Sequence, residues 1–364
     1  MNRTLTSEQR IEAVFRGEMV DRVPFALKGW RAPFCGQEPL LRNDGMGIFE
    51  DCPVFTSTSP HVTTETISCV EDGTPCTRTI VRTPVGEITS VSRTMGDDRI
   101  DRTSWIVEHF FKSPEDYKVL MFIAGDARHE PAYENYGRRR AQMDGDAYLK
   151  TGAPGAALHE IMIMFMGVET FSFEWAERRD EIIALDDAMT RSRRDAYRII
   201  AASPALVVCA GGNYAPEVLG MERFREFVLP HWEEAAGILH EGGKLLGSHL
   251  DANNRLWADE IGTSPLDWIE AFTPAPDTDM TMAEARAAWA GKTLFINFPS
   301  SVHLSSAEEI EDATRKLLEE AAPGDRFIIG ITENVPEHCW RESFATILRT
   351  CNEYGRLPIH SSRI

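Results

Sequence analysis

Through the second half of the chain, short apolar runs that end in polar residues alternate with longer stretches of helical spacing. The clearest case is Lys244-Leu-Leu-Gly-Ser-His249-Leu-Asp251-Ala-Asn-Asn-Arg255, followed by a helical run through Ile261 and a second short strand, Asp267-Trp-Ile-Glu270-Ala-Phe272. Alternate residues of an extended segment project to one side, so His249 and Asp251 face the same way where the first strand ends. The same rhythm recurs. Strand 205–210 ends in Gly211-Gly212-Asn213-Tyr214, strand 293–297 ends in Asn297, and strand 326–332 runs into Glu333-Asn334. With 23–27 and 147–151 this makes seven parallel strands, and the apolar run 119–123 is a candidate for the eighth. The pattern predicts a TIM-type (β/α)8 barrel, taken as a single domain over 1–364.

The first third departs from that rhythm. Thr6-Ser7-Glu-Gln-Arg-Ile-Glu-Ala-Val-Phe-Arg-Gly17 opens on a cap residue, carries Ile11, Val14 and Phe15 on one face, and stops at glycine, which predicts a helix. Residues 48–100 are rich in Thr, Ser and Val. Within them Thr77-Arg-Thr-Ile-Val-Arg-Thr-Pro84-Val-Gly86-Glu-Ile-Thr-Ser-Val-Ser alternates around a turn, which predicts a β-hairpin inside an inserted antiparallel element.

Composition narrows the class. The chain has 364 residues, with 43% hydrophobic and 26% charged, as in ordinary globular proteins. Its 38 basic and 57 acidic residues give a net charge of -19, which argues against nucleic acid and anionic membranes as partners. No stretch reaches the roughly 20 apolar residues of a membrane span, and the N-terminus lacks an apolar signal core. The seven cysteines form no CxxC pair, so a cytoplasmic protein with reduced thiols is expected. Nucleotide, serine-hydrolase and HExxH motifs are absent from the sequence.

Side chains at the carboxyl ends of barrel strands share one mouth. Here they are Lys150, Asn213, Tyr214, His249, Asp251, Glu270, Asn297 and Glu333, with Cys339 one helical turn beyond the last strand. Imidazole and carboxylate donors suit a divalent metal, and catalytic zinc takes three such ligands and leaves one position open. His249, Asp251 and Glu333 are the predicted trio, with His249 and Asp251 catalytic. Lys28, Trp30, Asn213, Tyr214, Glu270 and Asn297 are predicted to shape a substrate pocket.

Several blocks resemble the uroporphyrinogen decarboxylase superfamily, in particular its cobalamin-dependent methyltransferases. They are Asp21-Arg-Val-Pro-Phe, Thr83-Pro84-Val-Gly86, Phe224-Arg-Glu-Phe-Val-Leu-Pro230, Gly242-Gly-Lys-Leu-Leu-Gly-Ser-His249, Ile269-Glu270-Ala-Phe-Thr-Pro274 and Ile328-Ile-Gly-Ile-Thr-Glu333-Asn334-Val-Pro336. The resemblance implies a barrel with its site at the strand carboxyl ends. The arginine-rich R-Q-A-G-R-like segment of true decarboxylases is here Phe25-Ala-Leu-Lys28-Gly-Trp30-Arg31, which does not keep the motif. Thiol-acting methyltransferases of the family carry H-x-C and a late cysteine as zinc ligands. This chain has His249-x-Asp251 and Glu333 instead. Exchanging thiolates for carboxylates makes a harder Lewis acid, better matched to oxygen or nitrogen leaving groups.

The resemblance therefore implies methyl transfer between a cobalamin, free or on a corrinoid carrier protein, and a small O- or N-methyl compound. Two other readings stay open: a cofactor-free decarboxylase using Lys28, Arg31 and Asp251, and a non-catalytic tetrapyrrole-binding barrel. A homodimer is also left open.

Overall fold

The computed structural model describes residues 5–31, 36–71, 73–95 and 103–360. Eight parallel strands close into a barrel: β1 Phe25–Lys28, β2 Gly47–Asp51, β3 Ala147–Ala153, β4 Val207–Ala210, β5 Leu245–His249, β6 Trp268–Phe272, β7 Thr293–Asn297 and β8 Phe327–Ile331. β1 closes the ring by pairing with both β8 and β2. This is the TIM-type (β/α)8 architecture expected from the alternation of strands and helices.

The eighth strand is not where the apolar run 119–123 placed it. That run lies in the helix Tyr117–Asp126. Ser113 and Asp116 form a capping box around Pro114 just upstream, and this start signal favours a helix over a short strand. The missing strand is Gly47–Asp51, so the antiparallel insertion begins later than residue 48. Its four strands are Thr63–Glu71, Thr74–Thr83, Gly86–Met95 and Thr103–Glu108, in that order across the sheet. The expected hairpin is the central pair, with Thr83 opposite Gly86. Cys69 and Cys76 are direct cross-strand partners and are joined as a disulfide. Reduced thiols were expected at both positions. Among the described residues no helix is long and apolar enough to cross a membrane.

Alternate residues of each strand fill the barrel in layers. The lower layer is apolar and includes Ala26, Phe49, Tyr148, Val207, Trp268, Phe295 and Ile328. The N-terminal helix Ser7–Phe15, with Thr6 in a capping box, brings Ile11, Val14 and Phe15 against this layer. Phe15 meets Phe49 at 5.7 Å and the Trp268 ring edge-on at 5.2 Å. Two residues further along the same strands the inward positions turn polar: Lys28, Asp51, Lys150, Glu270 and Asn297. An aromatic plug closes the bottom, and charge collects at the top.

Trp268 fits because its strand neighbour on β5 is glycine. A Cβ on Gly247 would lie 2.3 Å from the indole ring. Gly247→Ala is expected to destabilise the fold by about 1–3 kcal/mol through overpacking, measured by urea unfolding. An unchanged midpoint would contradict this packing.

Candidate active site

Glu270 sits at the centre of the polar layer and is 2% exposed. Its carboxylate meets Lys28 Nζ at 3.0 Å, Lys150 Nζ at 3.3 Å and His249 Nδ1 at 2.8 Å, while the Cys209 thiol donates to it at 3.6 Å. Lys150 also forms a close ion pair with Asp51. Side chains from four other strands thus converge on one carboxylate. Directly after Glu270, β6 carries a bulge in its pairing with β7, and Ala271 adopts φ 64°. A left-handed alanine costs roughly 1–2 kcal/mol, and such local strain is typical of positions that aim a functional side chain.

The burial of Glu270 by itself favours the protonated acid. Lys150, His249 and Lys28 outweigh it and hold the carboxyl well below the ordinary value of 4.5. A group with a depressed folded value adds stability above its unfolded pKa and loses it as pH falls. The stability gap between wild type and Glu270→Gln is therefore expected to be constant near neutrality and to shrink below about pH 4.5. Urea titrations across pH check this, and a gap that widens in acid would contradict it.

His249 turns its other nitrogen to the mouth, where Nε2 lies 3.4 Å from Asp251 Oδ2. Donor atoms of His249, Asp251 and Glu333 all fall within 4.8 Å of one another. A tetrahedral zinc site with bonds of roughly 2.1 Å has ligand-to-ligand edges of about 3.4 Å. The His249–Asp251 separation of 3.4 Å already matches such an edge, and a donor atom of Glu333 lies within 4.8 Å of both. Glu270 stands behind the ring at Nδ1, as the carboxylate partner of a metal-bound histidine does. The donor set fits a zinc ion.

The same neighbours set the proton affinity of each of the three groups. Burial favours neutral imidazole at His249, but its bonds to Asp251 and Glu270 prevail and raise its pKa. Burial pushes the carboxyl of Asp251 up, and His249 more than reverses it, leaving the value lowered. Glu333 is raised, first by burial and then by the negative charge of Asp251.

A cavity of 410 Å³ opens over these groups. Its lining includes Lys28, Lys150, Cys209, Asn213, His249 and Glu333. Of the residues expected to shape a substrate pocket, Lys28, Asn213 and Glu270 line it. Asn213 Nδ2 lies 3.5 Å from Asp251 Oδ2. Tyr214 is fully buried behind the wall, where its hydroxyl accepts from the Ala156 N–H and donates to the Gly211 carbonyl. Asn297 is buried and braces the barrel rim, accepting the Thr332 N–H at 2.9 Å. The Trp30 side chain lies outside the described residues. Cys339 donates to the Pro336 carbonyl and is not part of the lining.

Asp51 was not among the predicted mouth residues and Lys150 was given no role there, although both are in the lining. Asp51 follows from strand β2, which the sequence pattern did not reveal. Lys150 was placed at a strand end, and the alternation Tyr148-x-Lys150 was the available signal.

No family model and no curated protein matches the chain. Among solved structures it is similar to a methyltransferase from Methanosarcina mazei, with 12% identity and a TM-score of 0.59 over 96% of this chain and 99% of that one. A pneumococcal exo-β-D-N-acetylglucosaminidase aligns at 9% identity and TM-score 0.36, over 94% and 88% of the two chains. Muconate lactonizing enzyme from Pseudomonas putida aligns at 14% and 0.24, over 80% and 76%. The first likeness concerns the fold; the other two carry no argument.

Proposed function

We propose that this chain is a methyltransferase that moves a methyl group between a corrinoid, free or on a carrier protein, and a small O- or N-methyl compound. The observation that carries the reading is the His249–Asp251–Glu333 cluster at the mouth of a cavity of small-molecule size. The similarity in fold to a methyltransferase over nearly the whole chain supports it.

In this reading His249, Asp251 and Glu333 would hold a zinc ion, which would supply Lewis-acid chemistry at the cavity mouth. The corrinoid supplies the cobalt that gives or takes the methyl group. The remaining work belongs to the chain. Glu270 accepts the Nδ1 proton of His249 and so fixes the tautomer that leaves Nε2 facing Asp251. Lys28 and Lys150 keep Glu270 ionised in a buried setting.

The decarboxylase reading, which uses Lys28, Arg31 and Asp251, draws less support at the first of its two cations. Lys28 is already committed to Glu270, and its ammonium lies 3.5 Å from the His249 ring.

The test is a methyl-transfer assay with reduced cobalamin and a panel of small methyl ethers and N-methylated amines, followed by corrinoid absorbance. Wild type is expected to methylate the corrinoid with at least one class, and added chelator is expected to suppress the rate. No methylation by any compound would contradict the reading.

A further inference from the structure

Four glycines follow one another around the ends of β3 and β4, and they divide into two kinds. Gly155 and Gly212 are required by the fold. A Cβ on Gly155 would lie 2.0 Å from the Gly211 carbonyl oxygen, and Gly212 combines φ 140° with a Cβ position 2.3 Å from the Tyr214 ring. Gly152 and Gly211 have no such reason. Neither adopts a left-handed φ, and no heavy atom lies within 4 Å of a Cβ built on either. Glycine inside a strand weakens it relative to alanine, and it marks a bulge, a tight bend or a place where a ligand or another backbone approaches closely.

Both glycines line the cavity. They lie directly above Lys150 and Cys209, since Tyr148, Lys150 and Gly152 alternate along β3, and Gly211 follows Val207 and Cys209 just past the end of β4. Gly152 pairs with Cys209 across the two strands. The rim therefore has a notch, two side chains wide, beside the His249 strand.

A second, independent observation comes from β8. Thr332 lines the same cavity and is 1% exposed, yet its Oγ1 has no hydrogen-bond partner among the described residues. A buried hydroxyl left unbonded is destabilising unless something supplies the bond. Its backbone N–H is already tied to Asn297, so the side chain is the unsatisfied part.

We infer that Gly152, Gly211 and Thr332 form the specificity surface of this cavity: the glycine notch seats the non-reacting body of the substrate, and Thr332 Oγ1 bonds a polar group on it. That this ligand is the methyl substrate rests on the methyl-transfer reading, whereas the notch rests on the wall alone.

Two readouts separate these claims. Cys209, on the notch floor, is labelled with methylmercury chloride, a small mercurial that displaces the thiol proton, and followed by mass spectrometry, with Cys339 as the internal reference. Gly152→Val is expected to slow labelling at Cys209 at least tenfold and leave Cys339 unchanged. Gly211→Ala, a smaller change outside the strand, is expected to slow it severalfold. Wild-type labelling of Cys209 in both variants would overturn the notch.

Binding of the same methyl ethers and N-methylated amines is then measured by saturation-transfer NMR. Compounds that bind wild type should lose about tenfold in affinity in Thr332→Val and Gly152→Val, while melting temperatures and zinc content stay at or above wild type. Equal affinity in all proteins would overturn the substrate assignment. A panel with no binder to wild type would contradict the methyl-transfer reading and the substrate assignment with it, while the labelling result still decides the notch.

Discussion

His249→Ala is expected to reduce corrinoid methylation by more than about a hundredfold while the fold survives. Even residues that merely orient a metal ligand cost 10–100-fold when removed, and His249 is placed as a ligand itself. The fold tolerates the change because Glu270, its inner partner, keeps Lys28 and Lys150. The carboxylate therefore stays paired when the ring is gone. Unfolding free energy should fall by no more than about 1–2 kcal/mol. Corrinoid absorbance and urea unfolding measure the two effects side by side. Activity within a few-fold of wild type would remove His249 from the mechanism. A collapse in stability would mean that the ring holds the barrel mouth together.

The reverse balance is expected at Glu270. Glu270→Ala leaves Lys28 and Lys150 facing each other in a buried layer, with Asp51 the remaining partner of Lys150. Breaking a buried ion pair by removing one member costs about 3–5 kcal/mol, because the charge left behind is uncompensated. This single change is therefore expected to lower the urea midpoint more than any other at the mouth. Glu270→Ala with Lys28→Met should recover part of the loss, since it removes one of the two stranded charges. Wild-type stability in Glu270→Ala would show that the central carboxylate is not what holds the polar layer.

Much of this site was legible because barrel strands carry their chemistry at fixed places. Alternation put His249 and Asp251 on one side of a strand end, and the same logic placed Glu270 and Glu333 at the mouth. Two errors have physical causes. Gly47–Asp51 is short and ends in acids, and it precedes a region rich in Thr, Ser and Val, so its period was hidden and Asp51 went unnoticed. The run 119–123 is apolar enough for either a strand or a helix, and the capping box upstream decides between them.

Tyr214 follows a strand, as mouth residues do, yet the turn at Gly211-Gly212 folds it behind the wall, where its hydroxyl ties two loops together. Thr332 and Gly152 give no sequence signal, and the pair Gly211-Gly212 reads equally as a close approach to a ligand or a simple tight turn. What marks them is space left open and a hydroxyl left unbonded, and both are properties of the assembled barrel.

The most direct test of the central claim is metal content by plasma mass spectrometry, on wild type purified beside His249→Ala and the double variant Asp251→Asn, Glu333→Gln. About one zinc per chain in wild type, lost in both variants, is the predicted result. Zinc retained in all three proteins, or no metal in wild type after zinc loading and desalting, would contradict the His249–Asp251–Glu333 site.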